Sequence, residues 1–235
     1  MQKFWFLLVA PLVFGIGGWW GAVPVQAASQ QSTADVQLVP DPNIEPVDPQ
    51  DPDGSGKPFP GDPEDPDNPG TGSRGHLTLD YLSNLKFKQQ RIANGFIEAT
   101  ATNQHAFVQI SDRRGTGGGW NLMLKPEALV GQSDHQSLKS ATVTLGAANF
   151  RSSGSNVSRA PDVTVGATQA LPVGEYSLVG QAQNVPGNRQ GVGTWLLRLN
   201  TQPSAPTQLN VLAAAVTSTQ TYEGTLSWML TDTPQ

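Results

Sequence analysis

The sequence predicts an all-β fold: a single β-sandwich or barrel-like domain behind a disordered, acidic, Pro-rich N-terminal stalk. Three observations carry this reading. Short apolar or alternating runs recur from residue 73 to the end, separated by Gly, Asn, Ser and Pro clusters. Nowhere do strands alternate with helical patterns, as a parallel sheet would require. Residues 40 to 70, "PDPNIEPVDPQDPDGSGKPFPGDPEDPDNPG", interleave Asp with Pro and hold few bulky apolar residues.

The chain has 235 residues, no Cys and a formal net charge of -5. Without Cys there is no disulfide framework, thiol nucleophile or Cys-ligated zinc. The N-terminus reads as an export signal. Lys3 is its charged region, "FWFLLVAPLVFGIGGWWGAV" its apolar run, and Val25-Gln26-Ala27 its cleavage site, which makes Ala28 the mature start. The run is also long enough for an uncleaved anchor. Pro11 and the glycines at 15, 17, 18 and 21 weaken a stable span, and no membrane span is expected after cleavage. An exported chain without Cys fits a bacterial surface.

Residues 28–72 read as an Asp/Pro-rich linker. Asp35, Asp41, Glu45, Asp48, Asp51, Asp53, Asp62, Glu64, Asp65 and Asp67 face Lys57 alone. Pro removes donors and like charges repel, so the segment is expected to stay extended, at about 3 Å per residue. "DPDG" at 51–54 has a faint likeness to a calcium loop but lacks the terminal bidentate Glu. From residue 73 onward, bases from Arg74 to Arg198 slightly outnumber acids. A mildly basic domain on an acidic stalk is suited to an anionic wall.

The strand candidates are "LTLDY", "HAFVQIS", "WNLMLK", "ATVTLG", "EYSLVG", "TWLLRLN", "LNVLAAAV" and "GTLSWML". The alanines of "LNVLAAAV" fit a helix, but its β-branched neighbours favour a strand. Chemistry is sparse. His76, His105 and His135 stand apart, without paired ligand spacing. "GTGGG" lacks the Lys-Ser/Thr of a phosphate loop. There is no G-x-S-x-G elbow, and no carboxylate pair for glycoside cleavage picks itself out. No metal, cofactor or nucleic-acid partner is expected.

What remains is a repeated Trp-x-Leu, Trp120-Asn-Leu122 and Trp228-Met-Leu230. On a strand, residues i and i+2 share a face, so each Trp points with its Leu. The pairs are either sandwich core or a ligand face. Trp228, near the end, is expected to be the more structural. Trp120, after Gly117-Gly118-Gly119, is expected to be the more exposed. Trp195 and Leu197 are expected in the core.

The chain resembles the small surface proteins of the WxL-domain family of Gram-positive bacteria. The resemblance rests on the Asp-Pro leader, "HLTLDYLSNLKF", "FVQISDRRGTGGGWNLML", "GVGTWLLRL" and "YEGTLSWMLTDTP". The combination is specific: one W-x-L after D-x-R-G-T-G-x-G and a second near the C-terminus. Asn121 stands where Thr or another β-former is more usual in the family. The resemblance implies a C-terminal domain over 73–235 that binds peptidoglycan or another wall polymer noncovalently. Trp120, Leu122, Trp228 and Leu230 would be its binding motifs, and membrane-anchored surface proteins encoded nearby its partners. No sortase motif precedes the terminal "TDTPQ". The alternatives are a secreted adhesive protein or an enzyme acting on wall or plant polysaccharide.

Overall fold

The computed structural model describes residues 32–37, 39–40, 42–138, 140–154, 156 and 158–232. The expected export signal and the start at Ala28 lie outside them. The chain divides into a segment up to residue 38 and a compact unit from Val39 to Gln235. Residues 32–37 of the first are exposed and carry no regular structure.

The compact unit is all-β, as expected. Its strands are β1 (Leu77–Leu82), β2 (Phe96–Thr100), β3 (Phe107–Asp112), β4 (Trp120–Pro126), β5 (Leu129–Gly131), β6 (Ser137–Leu138), β7 (Thr142–Thr144) and β8 (Asn149–Ser152). They continue as β9 (Asp162–Val163), β10 (Ala170–Leu171), β11 (Ser177–Ala182), β12 (Gly193–Arg198), β13 (Gln208–Leu212), β14 (Tyr222–Glu223) and β15 (Leu226–Asp232). All eight strand candidates contain strand. "LNVLAAAV" divides: Leu209–Leu212 lie in β13, and Ala213–Ala215 make one 3-10 turn. Alanine resists neither conformation, and the ladder stops where the run of alanines begins.

Three four-stranded antiparallel sheets run β1-β3-β12-β8, β15-β4-β11-β9 and β10-β7-β13-β2; a three-stranded sheet runs β14-β5-β6. One main core joins the first three. Val108, Ile110 and Leu197 come from the β3 sheet, Trp120, Leu122, Leu124 and Val179 from the β4 sheet, and Val143 and Leu171 from the β13 sheet. A smaller core of Leu138, Ala141 and Val211 lies under the β5 sheet.

Every residue of β3 is buried. A strand buried on both faces needs a second cover, and the expected stalk supplies it. Phe59 stands edge-on to Tyr81 and Phe107, at centroid distances of 5.4 and 4.9 Å. Gln109 receives the Gln50 N–H at 2.8 Å and donates to the Asp48 carbonyl at 3.1 Å. Asp62 and Asp65 are 1% and 8% exposed. Asp62 accepts from the backbone of Glu64 and His105, and Asp65 from Asn84 through both its backbone and side-chain amides. The stalk reading is therefore corrected for residues 48–72. Their carboxylates serve as acceptors for loop N–H groups, and their prolines punctuate turns.

The polar side of β3 is dense. Asp80 accepts from Thr78 and Ser111, each at 2.6 Å, and from Gln109 at 3.2 Å. Burial pushes its carboxyl above the usual range, against those donors. Burial, reinforced by the Asp65 charge, pushes the Tyr81 phenol up to about 12.

This cover has two measurable consequences. A chain beginning at residue 73 is expected to melt well below one beginning at residue 42. Phe59→Ala alone should cost about 2–3 kcal/mol, because it strips one side of an aromatic cluster; chemical denaturation measures both. The raised Tyr81 pKa means that the folded state holds its proton longer than the unfolded state. Its contribution is intact below pH 10 and is lost as pH rises towards about 12. Tyr81→Phe should flatten that alkaline loss, as read from denaturation midpoints across the window.

Candidate functional site

The two Trp-x-Leu segments are neighbours. β15 pairs with β4 antiparallel, with Trp228 opposite Leu124, Leu230 opposite Leu122 and Asp232 opposite Trp120. The period of two puts Trp120, Leu122 and Leu124 on one face with Leu226, Trp228 and Leu230, and that face is the main core. The intervening Asn121, Met123, Met229 and Thr231 take the other face, all of them half-buried. On that face Asn121 accepts from the Gln181 amide at 3.0 Å. The unusual Asn121 thus keeps a partner in the sheet and leaves the Trp-Leu face untouched.

Trp120 is fully buried. Its indole N–H donates to the Gly191 carbonyl at 3.1 Å, and its ring meets Phe150 of the opposing sheet edge-on at 5.8 Å. The expectation that Trp120 is the more exposed of the pair is reversed. Gly119 has φ +76, and a Cβ there would collide with the Ala182 carbonyl oxygen. The glycine lets the chain pass close to β11, and that close approach buries the ring behind it. Trp228 is only partly buried, because β15 is the edge strand of its sheet. Trp195 and Leu197, at 5% and 1% exposure, are core as expected.

The residues ahead of Trp120 have a mechanical role that sequence reasoning missed. Arg114 grips the buried Asp112 carboxylate with two parallel hydrogen bonds, Nε to Oδ1 at 2.9 Å and Nη2 to Oδ2 at 2.8 Å. The same guanidinium donates to the Gly119 carbonyl at 2.7 Å and, through Nη1, to Asp232 at 2.5 Å. One side chain therefore ties β3, the glycine loop and the end of β15. The Asp112 carboxylate, with Asp232 adding to it, holds the guanidinium further above its usual range. The available signal was an Asp and an Arg two residues apart before the loop, and an Asp two residues after the second Leu. Arg189 secures the loop from the other side by donating to the Thr116 carbonyl at 2.6 Å.

Trp228 also borders open space. A cavity of about 630 Å³ is lined by Trp228 and Leu226 together with Phe87, Tyr222, Glu127 and Glu223. A second, of about 400 Å³, shares Phe87, Thr221 and Tyr222 with it and continues beneath the β5 sheet. Among the described residues, no three His, Cys, Asp or Glu side chains are grouped to hold a metal ion. No helix among them is long and apolar enough to cross a membrane.

These contacts separate the members of the motif energetically. Trp120→Ala should cost about 3–5 kcal/mol. Trp228→Ala should cost less, since part of its ring is already in water. Arg114→Ala leaves Asp112 buried without its cation, and about 3–5 kcal/mol is expected. Arg114→Lys should recover only a fraction, because an ammonium cannot span both carboxylate oxygens. Thermal melts of the four variants check the order.

Neither a curated protein nor a solved structure matches the chain. A family model described as "WxL domain surface cell wall-binding" matches residues 25–234. The match starts well before residue 73, which corrects the expected C-terminal placement and agrees with a leader that packs on β3. With the match running nearly end to end, the chain belongs to the WxL family of surface, cell-wall-binding domains.

Proposed function

We propose that this chain is a non-catalytic surface protein of a Gram-positive cell, exported by its N-terminal segment and held noncovalently on the wall through the folded unit. The observation that carries the reading is the family match across residues 25–234. The architecture supports it: both Trp-x-Leu motifs build one β-ladder, so together they define a binding domain rather than two separate contacts. Trp120, Leu122 and Leu230 act by shaping that domain, and Trp228 is the member with a surface to offer. Peptidoglycan is the first ligand to test. Membrane-anchored surface proteins encoded nearby are candidate partners.

The folded unit does not bind as a cation. Between residues 42 and 232 there are seventeen acids against thirteen bases once the leader is included. Attraction to anionic polymer is then weak, and salt should matter little.

The test is sedimentation of the chain from Ala28 onward with purified wall sacculi. Binding is expected, with release by chaotrope and little release by molar salt. N-terminal sequencing of protein recovered from cells should begin at Ala28. No sedimentation, or release only by wall-digesting enzymes, would overturn noncovalent attachment to the wall.

A further inference from the structure

We infer that the joined cavities beside Trp228 are a binding trough for a linear saccharide chain, with the Trp228, Phe87 and Tyr222 rings as stacking walls. This rests on the wall-binding reading above and deepens it by naming a site and a ligand class.

The cavities are clefts open to solvent and measure about 400 and 630 Å³. Both fall in the range of small-ligand sites. They share Phe87, Leu129, Leu209, Thr221 and Tyr222 in their linings, so they lie side by side as adjacent compartments. Adjacent compartments suit a polymer of repeating rings better than one compact ligand.

The lining has the chemistry that a sugar ring demands. A pyranose has a C–H face, which needs an apolar plate, and a rim of hydroxyls, which needs donors and acceptors. The plates are three aromatic side chains, all part-exposed. The rim carries Lys86, Glu127 and Glu223. Lys86 supplies donors, Glu223 accepts, and Glu127, paired with Lys125 at 2.6 Å, keeps lone pairs for a further donor, so hydroxyls of either polarity find partners. Opposite charges along one rim disfavour a strongly charged ligand of either sign. A wholly aliphatic ligand would offer Lys86 and Glu223 no hydrogen bond.

Trp228 explains why the site lies here. β15 is an edge strand, so the indole packs against the main core on one side and faces the trough on the other. Phe87 arrives from a segment that bridges to Ala101 and is held by the Lys86 N–H donating to Asn103 at 2.8 Å, and Tyr222 from β14. Tyr222 is fixed by its hydroxyl, which donates to the Ser218 carbonyl at 2.9 Å. A docked protein strand is the competing occupant. The prominent apolar residue on an edge strand is Phe96, 70% exposed on β2, and it belongs to neither lining.

Filling the trough tests the inference without touching the core. Thr221 and Thr225 are exposed, line it, and engage neighbours through backbone carbonyls. Thr221→Trp and Thr225→Trp should fold with melting points close to the parent, while affinity for sacculi falls at least about tenfold. Ser204→Trp, exposed and outside both linings, should bind as the parent does. The same measurement on sacculi stripped of phosphodiester-linked polymers assigns the sugar. Retained binding there points to glycan strands of peptidoglycan, and lost binding to an attached polysaccharide. Full sacculus binding by both folded, filled variants overturns the trough and leaves wall attachment standing. Failure of the parent itself to bind sacculi overturns the wall reading and the trough together.

Discussion

The pairing of β15 with β4 is the contact on which the rest depends. The two strands are about a hundred residues apart in sequence, so joining them costs loop-closure entropy that only long-range contacts can offset. The compensation is concentrated. Seven residue pairs align, and three apolar side chains of β15 close over the β4 face. Arg114 then fastens the far end, where Asp232 stands opposite Trp120. Without β15, Leu122 and Leu124 would lose the side chains opposite them. The indole of Trp120 would keep its Gly191 bond and Phe150 contact, and the loop before it would lose the tie from Arg114 to Asp232. The trough proposed beside Trp228 requires this ladder, because Trp228 stands on β15.

A second cover makes β3 the centre of the molecule. Its odd-numbered side chains, Phe107, Gln109 and Ser111, meet the leader and Asp80; Val108 and Ile110 meet the main core. The leader is therefore continuous with the folded unit in energetic terms. It holds polar groups such as Gln109 in full hydrogen bonding, where water would otherwise have to serve. Arg198 and Arg74 reach back to Asp53 and Glu45, at 3.0 and 2.8 Å. These exposed pairs contribute little energy singly, and their geometry keeps the segment in register.

Much of this was legible in the residues. Alternation located β1, β3, β4, β11, β12 and β15, because each has one face in an apolar core. The two-residue strands β6, β9, β10 and β14 were missed, since a pair of residues has no period to read. β2, "FIEAT", was missed because its edge position leaves Phe96 and Glu98 in water and blurs the pattern. Composition misled on the leader. Asp and Pro in alternation signal disorder when nothing accepts them, yet Asp62 and Asp65 have specific N–H partners more than fifteen residues away. No local rule reveals such partners. The glycines before Trp120 misled for a related reason. Read as flexibility, they pointed to an exposed ring. Gly119 is there because β11 passes too close for a side chain, and close passage buries the next residue, Trp120.

Taking the leader into the folded unit also changes the account of how the domain meets a wall. Counted from residue 73, the chain has a small basic excess that favours anionic polymer. Counted with the leader that packs on it, the excess reverses. Part of the basic surface is moreover already engaged: Arg113 donates to the Glu45 carbonyl at 2.8 Å, beside the Arg74 and Arg198 pairs. Long-range attraction is then small, and recognition has to come from short-range contact, where stacking area and hydroxyl pairing count and salt does not. Lys86 and the two glutamates at one rim fit that requirement, since they offer hydrogen bonds of both polarities. Half-buried Trp228 fits it too: the core face of the ring is held rigid, so little side-chain entropy is left to lose when a ligand meets the open face.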